Sequence, residues 1–156
     1  MMYKTILYML LIMNFNQHDK IYVREYNANE QVIAEGWTVD NQKSDFWRFY
    51  HSTGVLKSKG NYLNGEKKGH WFFYDANNKV KEKGNFKNDK RNSWWVFYLQ
   101  NDIVEKIQYV DGEKQGYGLL YKDGDLFEVK KYDKNKMMGS WTSVFRFKMD
   151  NPNARF

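Results

Sequence analysis

A tryptophan recurs at a fixed interval through the middle of the chain. The same spacing separates Trp47 from Trp71 and Trp71 from Trp95, and a tyrosine stands three positions after each of them. The next copy is shorter by a single residue and has Gly118 at the tryptophan place, and Trp141 follows at the same shortened interval. Self-similarity with a period of ~20 to ~50 residues is typical of stacked supersecondary units. The chain is therefore expected to fold as an array in which each unit contacts its neighbours.

Each unit is too short for two helices, and its second half alternates with a period of two. Val80 and Phe86 fall on one side of that segment, whereas Lys81 and Lys87 fall on the other. The stretch DANNK supplies one turn, and LNGEKKG supplies the return to the next unit through its Asn-Gly pair. The predicted fold is all-β: an elongated single-sheet antiparallel meander of about five β-hairpins, with roughly eleven or twelve short strands.

One unit contains the phrase Tyr-x-Asn-Gly-x-x-x-Gly-x-Trp-x-x-Tyr. It is formed by Tyr62, Asn64, Gly65, Gly69, Trp71 and Tyr74. This phrase resembles the MORN repeat in its bacterial variant form, and the resemblance extends over about five units in residues 22–148. The other units are less complete, because Asp89 and Asn135 replace the turn glycine and Ser93 replaces the second glycine. The sequence is thus identified as a member of the MORN-repeat family.

The resemblance carries expectations about fold and function. MORN repeats form single-layer twisted arrays of hairpins that serve in protein contacts, in dimerisation or, in eukaryotes, in contacts with acidic lipids. Many bacterial variants are labelled antitoxins of toxin–antitoxin pairs. The resemblance therefore implies a binding protein and leaves open whether the chain forms a homodimer.

Aromatic residues make up 19% of the chain, and such rings bury a large area per residue. A thin sheet can therefore build its core from few positions. The expected aromatic core consists of Tyr62, Trp71, Tyr74, Phe86, Trp95, Tyr98 and Tyr109. Near the C-terminus, Val144, Arg146 and Lys148 alternate with Phe145 and Phe147, which predicts an alternating segment that caps the array.

The first residues differ from the repeats. After Lys4, residues 6–13 form an uncharged apolar run. The run is shorter than the ~20 residues that a helix needs to cross a bilayer, and it matches the apolar region of a secretory signal peptide. We expect a signal peptide or N-terminal hydrophobic segment at 1–17, a repeat domain at 18–148 and a C-terminal tail at 149–156. An uncleaved interfacial anchor and a plain structured start are the alternatives.

The sequence contains no catalytic or metal-binding signature. It has no cysteine, which excludes disulfides, thiolate metal ligands and cysteine nucleophiles. Its three histidines, His18, His51 and His70, lack the spacing of a zinc site. We therefore expect neither a metal nor a cofactor.

A ladder of glutamates is the one arrangement that suggests hydrolysis. Glu82, Glu105 and Glu128 recur once per unit at a constant interval, which places them two strands apart, or roughly 10 Å. That separation exceeds the ~5 Å of a retaining glycosidase and slightly exceeds the ~6.5–9.5 Å of an inverting one. The ladder is better explained as a polar position of the repeat. A carbohydrate-active enzyme is a minor alternative, and we expect a non-catalytic protein.

The positive charge is concentrated in two adjacent hairpins. The net charge is +6, and residues 57–91 hold ten Lys and Arg against four Asp and Glu. The candidate residues for binding an anionic partner are Lys57, Lys59, Lys81, Lys83, Lys87 and Lys106. Strand alternation is expected to place Lys57 and Lys59 on one face, and Lys81 and Lys83 on the matching face of the next unit. The simpler interpretation is that these lysines keep one face of the sheet hydrated and discourage edge pairing. Nucleic acid is not expected, because the aromatics that could stack on bases occupy packing positions of the repeat.

The sequence thus predicts a non-catalytic binding or scaffold protein of the bacterial cell envelope. Its expected partner is a protein or an anionic envelope component, either a lipid headgroup or a polysaccharide. The alternative is a cytoplasmic, antitoxin-like protein that neutralises a toxin by protein–protein contact.

Overall fold

The structure is a computed structural model that describes residues 19–155. The expected N-terminal hydrophobic segment and His18 lie outside the described residues. The strands are β1 (Lys20–Tyr26), β2 (Val32–Val39), β3 (Gln42–Tyr50), β4 (Leu56–Leu63), β5 (Glu66–Tyr74), β6 (Val80–Lys87), β7 (Lys90–Tyr98), β8 (Ile103–Val110), β9 (Glu113–Lys122), β10 (Asp125–Asp133) and β11 (Lys136–Trp141). A helix, α1 (Val144–Asp150), follows them. All eleven strands lie in one antiparallel sheet in chain order, which confirms the predicted all-β meander.

Two kinds of turn connect the strands, and they alternate from β1 to β9. The tight turns have two central residues with positive φ, as at Asn64 (51°) and Gly65 (80°), which is the geometry of a type I′ hairpin. Asp89 and Asn135, which replace the expected glycine, take the same conformation with φ of 59° and 69°. The longer turns are closed by their own polar residues: the Asp75 carboxylate accepts the backbone N–H groups of Asn77 and Lys79. The turn residues of the repeat thus set the positions at which the chain reverses.

One face of the sheet holds the repeated tryptophans and is called the tryptophan face. Trp47, Trp71 and Trp95 are each 0% exposed. Each indole lies against a glycine of the preceding strand, and its Nε1 donates to the backbone carbonyl of the residue after that glycine. The glycines are Gly36, Gly60 and Gly84. A single layer of sheet therefore buries large rings by letting them lie flat on bare backbone.

Further rings and cations cover these indoles. Tyr62 meets Trp71 edge-on at 5.1 Å between ring centroids, and Phe86 meets Trp95 in the same way at 5.0 Å. The guanidinium of Arg91 lies 4.2 Å from the centroid of the Trp95 ring. These contacts complete the core without a second layer.

The expected aromatic core is confirmed at five positions and wrong at two. Trp71, Trp95 and Tyr109 are buried, and Tyr62 and Phe86 are half-buried against them. Tyr74 and Tyr98 each lie three positions after a tryptophan in the same strand, so alternation places them on the opposite face. Tyr98 is 39% exposed there.

The predicted alternating cap is also wrong in its conformation. The segment forms α1, which begins after Ser143, whose hydroxyl accepts the backbone N–H of Arg146 as an N-cap. Phe147 is buried at 1% exposure, whereas Phe145 is 75% exposed. Phe147 packs with Leu119, Val129, Tyr117 and Trp141, because a helix turns one side chain in three or four toward the sheet.

None of the described residues forms a helix with the length and apolarity that a membrane span requires.

Candidate binding face

The face opposite the tryptophans carries a row of lysines and is called the lysine face. In the strand register, Lys59 pairs with Phe72, Phe72 with Lys83, Lys83 with Val96, and Val96 with Lys106. These five residues thus form one line across β4 to β8. Each lysine stands two strands from the next, a separation of ~9.6 Å at ~4.8 Å per strand.

Each of these lysines contacts a tyrosine at the C-terminal end of the following strand or one residue before it. The Lys59 ammonium lies 5.6 Å from the centroid of Tyr74, and that of Lys83 lies 5.7 Å from Tyr98. The third pair is equivalent, since the Lys106 ammonium lies 4.8 Å from the centroid of Tyr121. A cation over an aromatic ring is attracted by about 0.5–1 kcal/mol at an exposed site. The tyrosines therefore favour one position for each ammonium group.

The tyrosines were not among the candidate site residues, although the sequence contains a signal for them. A tyrosine stands three positions after each repeated tryptophan, and the expected aromatic core includes Tyr74 and Tyr98. The separation between lysine and tyrosine along the chain is identical in the pairs 59/74, 83/98 and 106/121. Together with strand alternation, this constant separation indicates one shared face.

The lysine row carries no compensating negative charge. Within residues 19–155, no carboxylate lies within ion-pair distance of Lys59, Lys83 or Lys106. These three side chains are half-buried along the sheet, as expected when a lysine stem packs on apolar surface while its ammonium faces water.

Toward β1 the same row contains a carboxylate that pairs with its cations. Glu35, which occupies the position of Lys59 in the preceding unit, accepts hydrogen bonds from Arg24 Nε at 3.1 Å and from the Tyr50 hydroxyl at 2.7 Å, and Arg48 lies 3.9 Å away. The Tyr50 hydrogen bond is the main cause that lowers the pKa of Glu35 below its ordinary 4.5. Burial and the same carboxylate raise the pKa of Tyr50 to about 12. The uncompensated cations therefore begin at β4.

The structure separates the six candidate lysines. Lys59, Lys83 and Lys106 share the row, whereas Lys57 falls in a β-bulge: Tyr50 pairs with Leu56 and Phe49 with Ser58, so Lys57 has no cross-strand partner. The expectation that Lys57 and Lys59 share a face is wrong, because an extra residue interrupts the alternation.

Instead of joining the row, Lys57 borders an open depression of the tryptophan face. Phe49, Tyr62 and Trp71 line that depression with it. Lys81 occupies the equivalent bulge of the next unit, between the pairs Tyr74–Val80 and Phe73–Glu82. The bulge at Lys81 therefore interrupts the strand alternation that would otherwise place Lys81 and Lys83 on the same face.

Lys87 lies at the end of β6, where it pairs with Lys90 across a tight turn. It is exposed and stands at the rim of the sheet rather than in the row. The row therefore consists of three of the six candidates.

The glutamate ladder lies on the tryptophan face and is occupied by cations. Arg91 Nη2 donates a hydrogen bond to Glu82 Oε2 at 2.9 Å, which forms an ion pair. The Lys130 ammonium lies between the other two carboxylates, 3.9 Å from Glu105 and 3.8 Å from Glu128. A lysine thus fills the space in which an inverting enzyme would hold its water.

The two described histidines contact neighbouring polar groups. His51 Nε2 lies 3.2 Å from the backbone oxygen of Tyr74, and His70 Nδ1 lies 3.3 Å from Asn85 Oδ1. Between residues 19 and 155, no group of three or more His, Cys, Asp or Glu side chains is arranged to hold a metal ion.

The repeat geometry agrees with a family comparison. A family model described as the MORN repeat variant matches residues 47–64 and 67–88. The first match covers the second half of β3 and all of β4, and the second covers nearly all of β5 and all of β6. The chain is a MORN-repeat protein. No curated protein matches it significantly. MORN repeats are generally non-catalytic binding repeats, so this MORN-repeat protein has the features of a repeat-based binding or scaffold protein.

Proposed function

We propose that this MORN-repeat protein is a non-catalytic scaffold that binds an anionic partner through its lysine face. The row of Lys59, Lys83 and Lys106 carries the proposal. The three ammonium groups lie on one side of one sheet, without a carboxylate partner among the described residues.

A purely solubilising role would not require this regularity. Lysines that only keep a sheet hydrated can point in any direction, whereas each of these three contacts a tyrosine of the same repeat position. The row lies on the face opposite the buried indoles, and it ends at β8, before the cluster that Phe147 of α1 forms with Leu119 and Val129 on the same face. A partner can therefore reach the row without displacing the buried rings. Because the ammonium groups face solvent, the interaction is expected to weaken as salt is added.

The test is retention on poly-L-glutamate at ~0.15 M salt, where the Debye length is ~8 Å. The full chain is compared with the triple variant Lys59→Gln, Lys83→Gln, Lys106→Gln. The matched control is Lys79→Gln, Lys122→Gln, Lys134→Gln, which removes the same charge from exposed positions outside the row. We expect the row variant to lose retention and the control to keep it. Equal loss in both variants, or no retention of the unmodified chain, would overturn the proposal.

We further propose that the protein acts in the bacterial cell envelope, on the basis of the apolar run at residues 6–13. Expression of the full chain, cell fractionation and mass spectrometry of the N-terminus test this. Loss of about the first 17 residues, with the protein in the envelope fraction, is the expected result. An intact chain in the cytoplasm would contradict export, and it would favour the antitoxin-like role if a toxin co-purified.

A further inference from the structure

We propose that the partner of the lysine face is an acidic peptide in the polyproline II conformation, with a carboxylate at every third residue, lying across β4 to β8. This inference rests on the proposed function, because it names the class of anion that the row binds. The observation behind it is the constant spacing of Lys59, Lys83 and Lys106.

The spacing selects the conformation of the peptide. The lysines repeat every two strands, or ~9.6 Å. A polyproline II helix has three residues per turn and rises ~3.1 Å per residue, so every third side chain projects to the same side, ~9.3 Å from the last. Over the two steps from Lys59 to Lys106 the mismatch is ~0.6 Å, which the four-carbon stem of a lysine absorbs easily.

Other regular backbones fit less well. Side chains on one face of an extended strand repeat at ~6.7 Å. Because this repeat is shorter than the lysine spacing, the second carboxylate would lie between two lysines. Side chains seven residues apart on an α-helix repeat at ~10.5 Å, so the mismatch grows to ~1.8 Å over the same two steps. The polyproline II helix is also fixed before binding, so it loses little conformational entropy on docking.

The side chains between and beside the lysines suit such a peptide. Phe72 and Val96 separate the lysines within the row, and the rings of Tyr74, Tyr98 and Tyr121 flank it. Prolines between the acids of the peptide would lie against these apolar and aromatic groups, which is the chemistry by which aromatic-lined surfaces recognise proline-rich segments.

The experiment compares two peptides of identical composition and charge. One repeats Glu-Pro-Pro three times, and the other places its three glutamates together, followed by six prolines. Their binding to the full chain is measured by fluorescence anisotropy. We expect the periodic peptide to bind about tenfold more tightly. We also expect Lys83→Gln to weaken it at least about threefold, whereas the matched control Lys79→Gln leaves it unchanged.

The possible outcomes separate this inference from the proposed function. Equal binding of the two peptides would overturn the spacing argument and would leave anion binding by the face intact. Tighter binding of a helical peptide with glutamates seven residues apart, or binding of an acidic polysaccharide but of neither peptide, would overturn it as well. If neither peptide binds and poly-L-glutamate is not retained, both proposals fail.

Discussion

The indole of Trp71 lies flat on Gly60, so closely that a Cβ added to Gly60 would come within 2.3 Å of the ring. The same relationship joins Gly36 to Trp47 and Gly84 to Trp95, each with a nearest approach of 2.4 Å. These glycines do not serve a turn. They make room for a ring, and the ring covers the backbone that the missing side chain leaves bare.

The substitution Gly60→Ala should therefore destabilise the protein. The new methyl group would overlap an indole that is 0% exposed and hydrogen-bonded to the backbone oxygen of Asn61, so the ring cannot move aside without cost. Overpacking of this kind costs ~1–3 kcal/mol. Urea denaturation followed by tryptophan fluorescence measures the change. Asn61→Ala, at the exposed neighbouring position, is the control and should remain within about 0.5 kcal/mol.

Ser93→Gly should stabilise the protein. Ser93 has a φ of 64° at the position where the neighbouring repeats have Gly69 and Gly116. A non-glycine residue in this region is strained by ~1–2 kcal/mol, part of which is offset by the greater freedom of glycine in the unfolded chain. The expected gain in the free energy of unfolding, measured by urea denaturation, is about 0.5–1 kcal/mol.

The reciprocal variant Gly69→Ser provides the comparison for Ser93→Gly. A Cβ on Gly69 would meet no atom within 4 Å, and its φ is 68°, so backbone strain alone should lower stability. A stabilising effect of this variant would contradict the explanation.

Phe147→Ala should destabilise the C-terminal end of the sheet by about 3 kcal/mol. The ring is 1% exposed and meets Tyr117 and Trp141 edge-on at 5.5 and 5.3 Å between centroids. Phe145→Ala, in the same helix at a position 75% exposed, should change stability by less than about 0.5 kcal/mol. Thermal unfolding monitored by circular dichroism compares the two. Equal effects would mean that α1 does not pack on the sheet through Phe147.

Tyr50→Phe should lower stability at neutral pH more than in acid. The Tyr50 hydroxyl is the main group that lowers the pKa of Glu35 below 4.5. A carboxyl group whose pKa is lowered in the folded state stabilises the protein at pH values above its ordinary pKa. This contribution to stability disappears as the pH falls through the folded-state pKa. We expect the free energy of unfolding of Tyr50→Phe to be about 1 kcal/mol lower than that of the unmodified protein at pH 7. This difference should become smaller below pH 4.5.

The matched control for this effect is Tyr74→Phe. Tyr74 occupies the same repeat position, but its neighbour is the Lys59 ammonium rather than a carboxylate. Urea denaturation is measured at several pH values from 7 to 3. The difference in free energy of unfolding between Tyr74→Phe and the unmodified protein should not become smaller over this range. A deficit in Tyr50→Phe that stays constant over the same range would contradict the proposed role of the hydrogen bond.

The architecture followed from local chemistry that the sequence contains. The constant interval between the tryptophans, the Asn-Gly turn and the alternation of Val80 to Phe86 predict hairpins in series, because turn type and side-chain period depend on neighbouring residues alone. A meander with short connections then leaves one strand order. The eleven strands confirm that reasoning.

The sequence by itself therefore determined that the chain forms a series of hairpins and that Trp71 and Trp95 are buried. The tertiary structure decided which lysines lie in one row. One extra residue at Lys57 removes it from the face of Lys59, and a bulge depends on pairing with another strand rather than on its own neighbours. Likewise, residues 144–150 alternate like a strand but form a helix, which packs on β10 and β11 and buries Phe147 against Leu119 and Val129. Both outcomes depend on contacts between segments, and a local pattern cannot specify such contacts.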